Sequence, residues 1–91
     1  MSADNTILIL ETAGEFRVAH VQADENLTYD ADEGRFNEEW VKNRFKLSKV
    51  FTDQKPAREE ADRIHRVVTE HTGVVEYGID LKRFPHQKFP D

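Results

Sequence analysis

The sequence predicts an α+β fold: a two-layer sandwich in which a four-stranded mixed sheet carries two helices on one face, in the order β-β-α-β-α-β. Three observations carry that prediction. Two β-rich segments flank an Ala13-Gly14-Glu15 turn early in the chain. A stripe of apolar residues at helical spacing runs from Ala57 to His71. The 91 residues include 23 Leu, Ile, Val and Phe, enough for one small core and too few for two domains. The domain is expected over 6–81, after a disordered N-terminus of residues 1–5 and before an extended tail over 82–91.

The first strand is expected over 6–12. Thr6 to Thr12 reads TILILET, apolar at consecutive positions, which is the pattern of a strand buried on both faces or covered on one by a partner chain. Gly14 stands in the middle of the turn, where positive φ is tolerated. The second strand, 16–22, alternates. Phe16, Val18 and His20 share one face, and Arg17, Ala19 and Val21 share the other.

Five acids (Asp24, Glu25, Asp30, Asp32 and Glu33) then mark a long surface connection, with an extended piece near Asn26 to Tyr29. Asn37 has the chemistry of an N-cap. Phe36 and Val41 stand at the spacing of a hydrophobic staple, and Glu38 and Glu39 complement the helix dipole. A helix over 38–46 follows, with Trp40, Val41, Arg44 and Phe45 on one face, then a short strand over 48–51.

Pro56 suits the first turn of a second helix, expected over 57–72. Its apolar stripe is Ala57, Ala61, Ile64, Val68 and His71, broadened by Val67, and Gly73 is placed to terminate it. The last strand is expected over 74–81, with Gly78 marking a bulge or a close backbone approach. A β-α-β step through this helix is right-handed if its strands are parallel neighbours. The expected core is Ile7, Ile9, Phe16, Val18, Trp40, Phe45, Phe51, Ala61, Ile64, Val68, Val75, Tyr77 and Ile79.

The segments Phe16-Arg-Val-Ala-His-Val-Gln-Ala, Lys49-Val-Phe with its following helix, and Val75-Glu-Tyr-Gly-Ile resemble segments of small uncharacterised proteins of bacteriophage and prophage origin. The resemblance covers about half the chain, in pieces. It implies a phage-type accessory or regulatory factor, and it assigns no activity and no site residue.

Composition removes several chemistries. With no cysteine there are no disulfides, thiolate metal sites or cysteine nucleophiles. Ser2 and Ser48 lie in no nucleophile elbow, and the four isolated glycines form no phosphate loop. The four histidines have no metal-binding spacing. Asp30-x-Asp32-x-Gly34 departs from a calcium loop, with glycine at the fifth position and Val41 at the twelfth. No metal and no cofactor are expected. No apolar run approaches the ~20 residues that span a bilayer, and the polar start lacks a signal-peptide pattern. A cytoplasmic location is expected.

The net charge of −5 divides unevenly, −8 over residues 1–40 and +3 over 41–91. Interleaving of the two halves in a small mixed sheet would average this field. Lys42, Arg44, Lys46 and Lys49 form a short basic run around Phe45, the footprint of a nucleic-acid-binding accessory protein in miniature. The acidic balance of the whole chain opposes phosphate. A small acid–base enzyme would draw on His20 with Tyr77 or Glu76. The most unusual feature is the tail, where a basic-Phe-Pro triplet occurs twice. Phe84, Pro85, Phe89 and Pro90 are candidate partner-binding residues, whose two Phe could instead dock on this domain or on a second subunit. These features point to a non-catalytic protein acting through protein–protein contact or self-association.

Overall fold

A computed structural model describes residues 4–22, 27–30 and 34–90. β1 (Asn5–Thr12) and β2 (Glu15–Gln22) form the expected antiparallel hairpin, in register from Asn5 opposite Gln22 to Thr12 opposite Glu15. Gly14 takes φ 84° in the turn, a conformation that costs other residues energy. A ribbon follows, β3 (Thr28–Asp30) with β4 (Arg35–Phe36), and then α1 (Glu38–Phe45), β5 (Val50–Phe51), α2 (Gln54–Thr72) and β6 (Ile79–Phe84). Most of the acidic connection (23–26 and 31–33) and residues 1–3 of the expected disordered N-terminus lie outside the described residues. Asn5 already belongs to β1.

The α+β class holds. The four-stranded mixed sheet has the order β5-β2-β1-β6, with β6 parallel to β1 and the other neighbours antiparallel. The strands of the acidic half are central and those of the basic half flank them, so the two halves interleave. β5 and β6 are opposite edges, so the β5-α2-β6 crossover passes over two strands and does not join neighbours.

The two helices lie on opposite faces, which corrects the expectation of one shared face. α2 lays Ala57 and Ala61 over Ile7, Ile9, Phe16 and Val18. α1 lays Val41 and Phe45 over Leu8, Leu10 and Val21, together with Leu27, Phe36 and Phe84. The cause is β1 itself. Ile7, Leu8, Ile9 and Leu10 are all buried. Helices on one face would leave Leu8 and Leu10 in water, forgoing about 1.5–3 kcal/mol each.

α1 begins as its sequence predicts. Asn37 Oδ1 accepts from Trp40 N at 3.1 Å, and the staple pair Phe36 and Val41 is fully buried. α1 closes where Phe45 O accepts from Ser48 N and Ser48 Oγ, so β5 starts later than expected. α2 starts three residues before Ala57, with Pro56 in its first turn.

The largest boundary correction is β6, expected over 74–81 and found over 79–84. The link before it is irregular. Tyr77 N donates to Asn5 O, and Glu76 N donates to Asn5 Oδ1. Gly78, at φ 66°, turns its carbonyl to accept from Ile7 N (2.8 Å) and Thr6 Oγ1 (2.9 Å). Those bonds start the parallel ladder. Val75 is buried, whereas Val74 and Tyr77 point outward, and Tyr77 is 60% exposed instead of in the core. Trp40, Phe51, Ile64, Val68 and Ile79 are half-buried. The tail therefore begins at Pro85, because β6 contains Lys82, Arg83 and Phe84.

Candidate functional site

Opposite faces need cover of equal reach, and the α1 face lacks it. α1 has eight residues, about 12 Å of helix, over strands of eight residues, about 27 Å. One end of this face is closed by the tail. The other end is a groove of about 550 Å³, within the range of binding pockets. Leu8 of β1, Val21 of β2 and Leu27 line it with apolar surface. Trp40 of α1 and Tyr77 of the link before β6 supply aromatic surface, and Asp80 and Lys82 of β6 supply charge.

Asp80 and Lys82 are on one face of β6 because they are two residues apart. Lys82 Nζ lies 3.4 Å from Asp80 Oδ2, with both side chains about half exposed. Asp80 Oδ1 accepts from Leu81 N at 2.9 Å. The groove thus combines an apolar interior, two aromatic rings and an acid–base pair. It can take apolar side chains and meet both donors and acceptors of a partner's backbone.

The tail docks on its own domain. Phe84 is buried and meets Phe36 edge-on, ring centroids 5.2 Å apart at 87°. The Gln87 amide accepts from Phe36 N at 3.0 Å and donates to Phe36 O at 3.4 Å, as a neighbouring strand would. Phe89 lies under the Arg17 guanidinium, 3.9 Å from the ring centroid. Arg17 is held in turn by Glu15 (3.1 Å) and Thr12 (3.3 Å). Pro85 is exposed and Pro90 half-buried. Of the four tail residues expected to bind a partner, both Phe anchor the chain that carries them.

His20 and Tyr77 are not brought together. His20 is exposed and shares the α2 side of β2 with Phe16 and Val18, whereas Tyr77 lines the groove on the α1 side. Lys42, Arg44, Lys46 and Lys49 are exposed. Lys42 and Arg44, two residues apart on α1, point about 160° apart, and Arg44 turns over Trp40, 5.9 Å from its ring. Among the described residues no three His, Asp or Glu side chains gather as a metal site requires. No described helix is long and apolar enough to cross a membrane.

The groove draws on six segments of the chain, and its residues share no spacing. Its one local signal is Trp40, a large aromatic on a helix too short to bury it fully. No family model, curated protein or solved structure matches the chain.

Proposed function

We propose that this is a non-catalytic cytoplasmic protein that acts by protein–protein contact, a phage- or prophage-type accessory or regulatory factor. Its contact site is the α1-side groove, and its occupant is an extended segment of another protein carrying apolar side chains. The observation that supports this is the pairing of Trp40 and Tyr77 with the half-exposed Asp80–Lys82 pair in one groove. Aromatic side chains around an apolar pocket are the usual anchors of protein contacts. An acid beside a base complements a peptide backbone, which presents N–H donors and C=O acceptors in equal number.

Trp40 is the sole tryptophan, so its fluorescence reads groove occupancy directly. Selection from a random peptide library should enrich sequences with aromatic or aliphatic anchors. Those peptides should shift Trp40 emission, and Tyr77→Ala should weaken them at least tenfold. Peptides that bind without moving Trp40 emission, or that bind Tyr77→Ala equally well, would refute the reading.

A further inference from the structure

Among the described residues, the outer edge of β6 is an open edge of six residues. Among those residues β6 pairs with β1 alone, and on the opposite side β5 has two residues, paired with Phe16 and Arg17 of β2. The bond from Ile7 N to Gly78 O and the register Ile7 opposite Ile79 fix which backbone groups face outward. In a parallel ladder, alternate residues direct both N–H and C=O to the same neighbour. Asp80 and Lys82 therefore face β1, while Ile79, Leu81 and Arg83 face away from the sheet. The outward Leu81 N–H is met by the Asp80 carboxylate.

We propose that this edge is a self-association site, where β6 of one molecule pairs antiparallel with β6 of a second copy about a two-fold axis through Leu81. Hydrogen bonding requires outward residues opposite outward residues. That leaves the register centred on Leu81 and its neighbours centred on Asp80 or Lys82. Charge chooses among them. The Asp80-centred register sets Asp80 against Asp80, and the Lys82-centred one sets Lys82 against Lys82 and brings Pro85, which has no N–H, opposite Ile79. Like charges directly opposite are destabilising.

The Leu81-centred register sets Asp80 opposite Lys82 twice. It also sets Leu81 opposite Leu81 and Ile79 opposite Arg83, with about six backbone hydrogen bonds. Asp80 and Lys82 then occupy non-hydrogen-bonded positions, where cross-strand side chains come closest. Leu81 N passes from the Asp80 carboxylate to a carbonyl of the second copy, which frees Asp80 to meet the opposing Lys82. On the other face, the half-buried Leu81 gains an apolar neighbour. Charges of one sign on an edge strand repel any incoming strand. An acid and a base two residues apart make the edge complementary to itself.

Sedimentation equilibrium from about 1 µM to 1 mM, without any peptide and with circular dichroism to verify folding, reads self-association alone, although Asp80 and Lys82 also line the groove. The wild type should approach twice 10.6 kDa. Asp80→Lys and Lys82→Asp should each weaken the dimer about tenfold or more, since each sets like charges opposite one another. An equimolar mixture of the two variants should restore the dimer as a heterodimer, because its facing charges are opposite again. If either single variant fails to fold, the chain carrying both substitutions decides, and it should dimerise like the wild type. A wild type that stays monomeric, single variants that keep their dimer, or a mixture or doubly exchanged chain that stays monomeric would overturn the proposal.

Discussion

On the α2 side of the sheet, one helix of 19 residues lays its alanines against Ile7, Ile9, Phe16 and Val18. On the α1 side, the same two strands are covered by Leu27, Phe36, the short helix α1, Phe84 and Phe89, brought from separate parts of the chain. The first arrangement is repetitive and close-packed. The second depends on each piece holding the next, and it ends in an open groove. A long helix covers a sheet face by periodicity, whereas short pieces cover it by mutual anchoring and leave space where the pieces run out.

The sharpest way to break this comparison is to remove one residue from each side. Phe36 is fully buried and packs edge-on against Phe84. Phe36→Ala should cost about 3–5 kcal/mol in chemical denaturation. Ile64 is half-buried on α2, so Ile64→Ala should cost only about 1–2 kcal/mol. A larger loss at Ile64 would show that the α2 side holds the fold and that the pieces are ornament.

The next effect is the amide of Gln87. Gln87→Ala should cost about 1–2 kcal/mol, because Phe36 N and O lose their partner beside the core. Hydrogen exchange at the Phe36 amide should accelerate as well. An unchanged exchange rate would mean that the tail does not anchor the ribbon.

The smallest effect belongs to the flank of α2, where Glu60 is half-buried. Arg63 donates two bonds to Glu60, at 2.8 and 3.0 Å. That hydrogen bond, against a smaller opposing effect of burial, holds the Glu60 carboxyl below its ordinary value of 4.5. A carboxyl with a depressed value stabilises the fold above its ordinary value and loses that contribution as pH falls through the depressed one. Glu60→Gln should therefore cost no more than about 0.5 kcal/mol at pH 7 and nothing in strong acid. A loss that grows on acidification would reverse the sign and reject the assignment.

The contrast between the faces also explains what could be read from the residues alone. The β1–β2 hairpin, the Asn37 cap and the α2 stripe are local: a turn glycine, a three-residue reach and a helical period. Helix placement is not local. The apolar run Ile7 to Leu10 announced that both faces need cover, but no spacing says which helix goes where. The start of β6 depends on Gly78 meeting Thr6 and Ile7 across some seventy residues of chain. The alternation around Val75 and Tyr77 suited a strand equally well, so Tyr77 was expected inside. The groove was invisible for the same reason, since Leu8, Val21, Trp40 and Tyr77 meet only after the sheet has formed.

The parallel pairing of β1 with β6 has a consequence for synthesis on the ribosome. β2, one neighbour of β1, is made directly after it, whereas the other, β6, is made only after β3, β4, α1, β5 and α2. At about 5–20 residues per second, the interval between Gln22 and Phe84 is roughly 3–12 s. Throughout that interval β1 has only its hairpin partner in the sheet, and the cover of Ile7 to Leu10 is made piece by piece, α1 first and α2 later. Every nascent copy thus presents an apolar strand with a bare edge to the neighbouring chains of a polysome. Closure of the sheet waits until β6 has been made and reaches β1.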